Sequence, residues 1–158
     1  MAPQMTGYPV DTRFSRPPIT QPTRIDALRK VGLFQGVSKR SLVLIDRLSE
    51  VRSAYTGDVV VAQGDVGTEM MIVLEGKASV TRGNRKLNEL SPGQIFGEMA
   101  LLDNQTRSAT VTALEPMRML VIPGPGFRKL LTKVPGLTDA VLATLSVRLR
   151  ETQAAADL

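Results

Sequence analysis

Residues 57–80 read GDVVVAQGDVGTEMMIVLEGKASV, and this stretch decides the fold class. Short runs rich in valine, methionine and isoleucine alternate with glycines. Such runs, bounded by glycine, are typical of strands in an antiparallel sheet. The same texture continues to residue 122, with turn signals at intervals of about 8–12 residues. The pattern predicts a mainly β fold, an antiparallel β-roll of the jelly-roll type, in which RGNR at 82–85 forms a hairpin tip.

Helical patterns flank the β region on both sides. Thr23 precedes a short helix that Gly32 would end, and Ser38 is suited to cap the N-terminus of a second helix. After the β region, PGPG at 123–126 ends the sheet and FRKLLTKV forms a short helix. Pro135 then opens a last helix whose leucines recur at about every fourth position.

The length of 158 residues predicts one compact domain with tails. Residues 1–22 hold five of the ten prolines and show no helical or alternating apolar period, so we expect a flexible arm there. The predicted domain covers 23–152, and its parts are N-terminal helices at 23–50, the β-roll at 51–122 and C-terminal helices at 123–152, followed by a tail at 153–158.

The composition excludes several functional classes. There is no cysteine and no histidine, so disulfides, thiolate nucleophiles, iron-sulfur clusters and the usual imidazole metal ligands are absent. These absences exclude most hydrolases, metalloenzymes, haem sensors and iron-sulfur sensors, and we expect no metal site.

Charge and hydropathy set the expected partners. The net charge is +5, but residues 31–116 hold nine basic and ten acidic side chains, and aromatic residues make up only 4% of the chain. Diffuse basicity without aromatics argues against direct DNA binding. No apolar run approaches the roughly 18 residues of a membrane span, and the N-terminus lacks the apolar core of a secretory signal. A cytoplasmic location is expected.

One further stretch is GQIFGEMALLDNQTRSATV at 93–111, in which the apolar run IFGEMALL carries one acid, Glu98, and a lone base, Arg107, opens the small-residue run SAT nine residues later. Gly97 would free the backbone so that a short helix begins near Met99, and Arg107 would return on the next strand. A guanidinium beside unpaired N–H groups suits a phosphate, and a carboxylate suits a hydroxyl. A ligand with both groups would explain both charges. The alternative is a plain salt bridge at a corner of the barrel.

The segment FGEMALLDNQTRSATV at 96–111 resembles the phosphate-binding cassette of the cyclic nucleotide-binding domain family, with its pattern F-G-E-x-A-L and R-[STA]-A-[TS]-V. Support comes from residues 57–80 and from F-x-x-L-L at 127–131, and the resemblance covers about 24–152. It implies that Glu98 binds the ribose 2′-hydroxyl and that Arg107 pairs with the cyclic phosphate. It further implies that the pocket is lined by Phe96, Gly97, Met99, Ala100, Ser108 and Ala109, with Val73 and Leu74 packing against the base.

The resemblance also bears on the choice of ligand and on the lid. A hydroxyl directly after the arginine can bond the amino group of a syn guanine, so Ser108 leaves cyclic GMP open beside the expected cyclic AMP. The final helix is the usual lid of the family, and Arg148 lies where some channel-type members place a lid arginine over the base. The other interpretation of Arg148 is an exposed charge favoured by the helix dipole.

The resemblance therefore implies a cyclic nucleotide receptor domain that relays binding through movement of its C-terminal helix. It implies no cofactor and no catalytic group, so the predicted protein is not an enzyme. Only ETQAAADL follows the lid, so a protein partner or a fused effector is expected, and a homodimer through the leucine-rich last helix is open. Two rivals are an interaction scaffold that has lost its ligand and an enzyme that uses Glu98 and Asp103 as paired carboxylates.

Overall fold

A computed structural model of the chain describes residues 16–103 and 106–156, and all structural statements below refer to these residues. The helices α1 to α5 are Gln21–Arg29, Lys39–Arg47, Glu98–Asp103, Gly124–Lys133 and Leu137–Ala156, with a single turn of 3-10 helix at Gly32–Phe34. The strands β1 to β8 are Glu50–Ala54, Val59–Val61, Glu69–Glu75, Ala78–Arg82, Arg85–Leu90, Ile95–Phe96, Thr110–Ala113 and Met117–Pro123.

The eight strands form two four-stranded antiparallel sheets. The first sheet has the order β1-β8-β3-β6 and the second the order β2-β7-β4-β5. Strands β4 and β5 are joined at Arg82 and Arg85, where Gly83 takes a positive φ of 60°. The predicted β-roll with flanking helices and the predicted hairpin tip are therefore confirmed.

The central strands β3 and β8 bury both of their faces. Alternate side chains of a strand point to opposite faces, so each strand contributes to two separate hydrophobic clusters. The cluster shared with the helices includes Met70, Ile72, Leu120 and Ile122. The cluster inside the roll includes Met71, Val73, Met119 and Val121. This double burial explains why residues 70–74 read as an unbroken apolar run.

The helix boundaries confirm one sequence prediction and correct two. The Ser38 side chain accepts a hydrogen bond from the Ser41 N–H at 3.2 Å, which confirms the predicted N-cap. Helix α1 begins at Gln21 and α4 at Gly124, both earlier than the sequence predicted. In each case a proline sits in the first turn, where its missing N–H has no partner to lose.

The end of the predicted N-terminal arm is fastened to the first sheet. Arg118 donates hydrogen bonds to the Glu75 carboxylate and to the Pro17 carbonyl, the latter at 2.8 Å. Arg16 adds an ion pair to Glu75 at 3.2 Å. The prediction of a flexible arm over 1–22 is thus wrong for its last residues, since they are held by charge-assisted bonds; residues 1–15 lie outside the described part.

The last two helices meet at a sharp bend. Gly136 between them has a φ of 79°, a conformation that favours glycine, and α5 then packs against the turn at Gly32–Phe34. Among the described residues no single helix has both the length and the apolar character to cross a membrane. Helices α4 and α5 taken together meet both criteria, by length and composition alone, and the two helices are bent by 114° where they meet.

Acid should weaken this fold through its paired carboxylates. Hydrogen bonds from Arg118 hold the pKa of Glu75 below its ordinary value, and those from Arg52 do the same for Glu69. A carboxyl whose pKa is lowered by folding stabilises the fold above its unfolded-state pKa, and this contribution is lost as the pH falls through the folded-state pKa. We expect the free energy of unfolding to fall below about pH 4.5, and to fall less steeply in Glu75→Gln.

Urea unfolding at several pH values between about 5 and 3 measures this slope. Glu115→Gln is the matched control, because Glu115 is exposed and has no ion pair among the described residues. An equal slope in wild type and Glu75→Gln would contradict the assignment.

Candidate functional site

The acid of the cassette is placed by the shortest strand of the first sheet. Strand β6 pairs with β3, with Phe96 opposite Met71, and the chain then turns at Gly97 with a φ of 85°. Helix α3 starts directly afterwards, so that Glu98 is its first residue, and its side chain is only 5% exposed. The predicted start near Met99 is accurate to one residue.

The base of the cassette is held by main-chain atoms from two other segments. The Arg107 N–H donates to the Asp65 carbonyl at 2.7 Å, and the Gly64 N–H donates to the Arg107 carbonyl at 2.9 Å. Arg107 therefore lies in the loop before β7, which begins at Thr110, and not on the strand itself as predicted. These two main-chain hydrogen bonds with residues 64–65 hold Arg107 although it lies outside a strand, and so they fix the position of its Cα.

The guanidinium of Arg107 is buried, 8% exposed, and is oriented by two carbonyl oxygens. Nη1 donates to the Gly97 carbonyl at 2.9 Å and Nη2 donates to the Glu69 carbonyl at 2.7 Å. A guanidinium carries five N–H donors, so these two bonds fix its plane without using all of its donors among the described residues.

The electrostatics of the site rest on a small group of charges. Burial lowers the pKa of the Arg107 guanidinium, while the carboxylates of Glu69 and Glu98 oppose that shift. An arginine pKa starts so high that the side chain stays charged at neutral pH. Glu69 is itself held by Arg52, whose guanidinium donates to both of its oxygens at 2.9 Å. The buried cation thus has acidic neighbours that offset part of its desolvation.

A cavity of about 670 Å³ opens onto both charges. The predicted site residues that line it are Phe96, Gly97, Glu98, Met99, Arg107, Ser108 and Ala109. Apolar strand residues line it as well, and they are Val61, Val80, Leu90, Ile95 and Val111. A volume of this size, partly apolar and with a few convergent polar groups, is typical of small-molecule sites.

Val73 and Leu74 do not line this cavity, contrary to the sequence prediction. Val73 is 1% exposed and belongs to the hydrophobic cluster inside the roll, and Leu74 packs against the cluster shared with the helices. The Val73 N–H donates to the Gln94 carbonyl and the Gly93 N–H donates to the Val73 carbonyl, so the main chain of β3 at this point is bonded to the turn at 93–94. Of the remaining predicted residues, Ala100 lies on α3 and Arg148 on α5, and their side chains fall outside the described part.

The sequence prediction missed the residues that the second sheet brings to the cavity. Val80 lies opposite Asn88 on one side and opposite Val111 on the other. The turn at 31–33 and Thr144 of α5 complete the lining. The alternation in β4 hints at an inward Val80, but only the strand order shows that it faces the cassette.

Gly97 leads to a direct prediction. A Cβ at this position would lie 2.5 Å from Arg107 Nη1 and 2.9 Å from the Glu69 carbonyl oxygen, and the φ of 85° is strained for any L side chain. We expect Gly97→Ala to lower the free energy of unfolding by about 1–2 kcal/mol and to displace Arg107. Urea unfolding, with a crystal structure of the variant, measures both. Gly83→Ala is the control because its Cβ would meet no atom within 4 Å and its φ of 60° is also positive. Equal losses in the two variants would contradict the steric argument.

The site can hold a ligand with an anion at one point and a hydroxyl at another. A planar guanidinium matches two oxygens of a phosphate, and a carboxylate accepts a hydrogen bond from a hydroxyl. The valines around the cavity offer an apolar surface for a flat ring. No group of three or more His, Cys, Asp or Glu side chains that could hold a metal ion occurs in the described residues.

Comparison with known proteins places this site in a family. Residues 51–134 match the model of the cyclic nucleotide-binding domain. The chain is 37% identical over 109 residues to a cyclic nucleotide-gated potassium channel of Mesorhizobium japonicum, covering 69% of this chain and 30% of the channel. It is 32% identical over 131 residues to the cyclic AMP receptor protein of Thermus thermophilus, covering 80% of this chain and 61% of the receptor. The chain therefore spans less than two thirds of the length of each of these relatives.

The fold also matches that of a solved structure. The crystal structure of the Thermus thermophilus catabolite activator protein superposes with a TM-score of 0.76 at 31% sequence identity, covering 80% of this chain and 62% of that one. The family match spans more than half of the chain and includes the whole cassette from Phe96 to Val111. The chain belongs to the cyclic nucleotide-binding domain family.

Proposed function

We propose that this chain is a receptor domain for cyclic AMP. The observation that carries the proposal is the placement of a buried acid, Glu98, and a buried base, Arg107, on the wall of one cavity. Burying two charges is costly and weak evidence for stability alone, so their common exposure to a cavity favours a ligand over a structural salt bridge.

In this proposal each charge has one task. Arg107 pairs with the cyclic phosphate, because two carbonyls already fix its guanidinium plane and leave further N–H donors. Glu98 accepts a hydrogen bond from the ribose 2′-hydroxyl. The purine lies against the apolar strand residues that line the cavity, among them Val61, Val80 and Val111.

Ser108 tests the choice of base. It lines the cavity, and its carbonyl accepts a hydrogen bond from Arg82 Nε at 3.0 Å, which holds its main chain at the cavity wall. We expect Ser108→Ala to weaken cyclic GMP binding by about tenfold, the value of one neutral hydrogen bond of about 1.4 kcal/mol. Cyclic AMP affinity should change less than about threefold. Competition titrations with both nucleotides give the ratio. An equal loss for both nucleotides would overturn this role of Ser108, and tighter binding of cyclic GMP than of cyclic AMP by wild type would overturn the preference for cyclic AMP.

The output of the domain is proposed to pass through α5. This helix packs on the turn at Gly32–Phe34, and both the turn and Thr144 of α5 line the cavity. A ligand in the cavity would contact both α5 and the rest of the cavity wall when α5 lies over the cavity, and would lose the contacts with α5 when this helix moves away. It can therefore bind the closed state, with α5 over the cavity, better than the open state. A shift from 1:99 to 99:1 needs about 5.5 kcal/mol of such preference.

The names of the relatives support a regulatory role over a catalytic one. They are a gated channel and a receptor protein, and the chain spans only part of each. We infer that this domain acts on a protein partner or a fused effector. The rival hypothesis uses Glu98 and Asp103 as catalytic carboxylates, and the side chain of Asp103 lies outside the described part.

Thermal unfolding tests the receptor against a scaffold that has lost its ligand. A ligand at 100 times its dissociation constant stabilises the folded state by about 2.7 kcal/mol, which raises the Tm of a chain of this size by about 5–10 °C. Cyclic AMP should produce this shift in wild type and not in Glu98→Ala or Arg107→Ala. A scaffold would show no shift in any of the three.

A further inference from the structure

A second groove lies on the N-terminal helices, on surfaces that the nucleotide cavity does not use. It has a volume of about 740 Å³ and is lined by one face of α2, by the last residue of α4 and by the link to α5. The lining residues are Ser38, Arg40, Ser41, Val43, Leu44, Arg47, Lys133 and Pro135. We propose that this groove docks an acidic amphipathic helix of a partner protein.

The rim of the groove is positive. Arg40, Arg47 and Lys133 are exposed, none of them has an ion pair among the described residues, and no carboxylate lines the groove. The helix dipole is positive at the N-terminus of α2, which Ser38 caps, and negative at the ends of α2 and α4, where Arg47 and Lys133 lie, so the side-chain cations set the sign of the rim. Three unpaired cations around one concave surface attract carboxylates, and clefts lined by one sign of charge focus that attraction.

The floor of the groove is apolar. Val43 and Leu44 are half-buried and pack against the hydrophobic cluster that the helices share with the first sheet. They lie between Arg40 and Arg47 on α2, at the i, i+3, i+4 and i+7 spacing that puts four residues on one helical face. The surface therefore offers apolar contact flanked by charge.

This combination selects a helix with acidic flanks over a nucleic acid. Phosphate binding would use the same cations, but single strands need aromatic rings for base stacking, and the groove has none. An amphipathic helix laid in a groove buries apolar residues at the same i, i+3, i+4 and i+7 spacing, and its glutamates can pair with the rim. The cations alone would attract either partner, but the apolar contact that Val43 and Leu44 offer is one that a phosphate backbone would leave uncovered, so the groove points to a protein partner.

The groove also adjoins the bend between α4 and α5. Pro135 precedes Gly136, the residue with positive φ where α4 gives way to α5. A helix docked against Pro135 would sit beside the segment through which the domain is proposed to act. Docking itself does not depend on that proposal, because none of the groove residues lines the nucleotide cavity.

Phage selection of random 16-residue peptides on the full chain tests the proposal. The selected peptides should carry an excess of glutamate and aspartate, with apolar residues three and four positions apart. Their affinity should fall at least tenfold in Arg40→Glu/Arg47→Glu and in Lys133→Glu, which covers the case that one variant does not fold. Lys77→Glu/Arg85→Glu is the control with the same charge change, at positions outside the groove, and should bind within twofold of wild type.

Three results would overturn the proposal. They are the selection of peptides without an acidic excess, affinities that the groove variants leave within twofold, and a duplex DNA oligonucleotide that binds more tightly than the peptides and is lost in the same variants. Cyclic AMP titrations of the same variants separate this proposal from the receptor function, because the groove variants should bind the nucleotide as wild type does.

Discussion

Replacing Arg107 by alanine is expected to weaken cyclic AMP binding by at least about 100-fold. The guanidinium is the cation whose N–H donors reach the cavity beside Glu98 and Ser108. Two charge-assisted bonds to a phosphate contribute about 1.5–3 kcal/mol each, so their loss exceeds two factors of ten in affinity. Isothermal titration of the variant measures the change directly.

The variant needs a control for its fold. Arg107→Ala also removes the donors to the Gly97 and Glu69 carbonyls, and an unpaired buried carbonyl costs about 1–3 kcal/mol. Arg107→Lys keeps the charge but not the planar fork, so it should bind with intermediate affinity. Arg85→Ala, at the exposed hairpin tip, should bind as wild type does. Wild-type affinity in a folded Arg107→Ala would contradict the phosphate assignment.

Replacing Glu98 by glutamine is expected to weaken cyclic AMP binding by about 10–100-fold. The carboxylate is proposed to accept a hydrogen bond from the ribose 2′-hydroxyl, and a bond to a charged acceptor contributes about 1.5–3 kcal/mol. The amide keeps the size of the side chain but loses the charge, so the change reports on the interaction rather than on packing.

The same hydrogen bond can be removed from the side of the ligand. 2′-Deoxy cyclic AMP lacks the hydroxyl, so wild type should bind it as weakly as Glu98→Gln binds cyclic AMP. If the two groups contact each other, combining both changes should cost little more than either alone, as in a double-mutant cycle. Additive losses would show that Glu98 acts elsewhere, and the Tm of the unliganded variant tells whether the fold has suffered.

The order of the elements and the two charged residues could be predicted from the sequence. Glycine-bounded apolar runs gave the strands, Ser38 gave a helix start, and the spacing of Glu98 and Arg107 in the cassette marked the site. The strand and helix signals are local, because each depends on residues within one turn or one strand, where conformational preferences act directly. The two charges lie nine positions apart, and the resemblance of residues 96–111 to the cassette of the family marked them as a site.

The wall of the cavity could not be predicted in the same way. The family resemblance implied that Val73 packs against the base, yet β3 sits in the middle of the first sheet and buries Val73 in the roll. The cavity instead takes Val80 and Asn88 from β4 and β5 in the second sheet. Which strand faces the cassette depends on strand order and register between distant segments, and a one-residue shift of register would reverse every side chain.

The burial of the charged pair could be learned only from the structure. The sequence shows an acid and a base nine positions apart, which is equally consistent with a surface salt bridge. The structure buries Arg107 between the Gly97 and Glu69 carbonyls, with Arg52 holding the Glu69 carboxylate. Arg52 and Glu69 belong to β1 and β3, so the support of the site comes from strands far from the cassette in sequence.

Isothermal titration of the wild-type chain with cyclic AMP is the most direct test of the receptor function, with 5′-AMP as the matched ligand whose phosphate is not cyclic. We expect one cyclic AMP bound per chain. We expect 5′-AMP to bind at least about tenfold more weakly, because its open phosphate carries more negative charge, which the Glu98 carboxylate repels. No binding of cyclic AMP or cyclic GMP at millimolar concentration would contradict the receptor function.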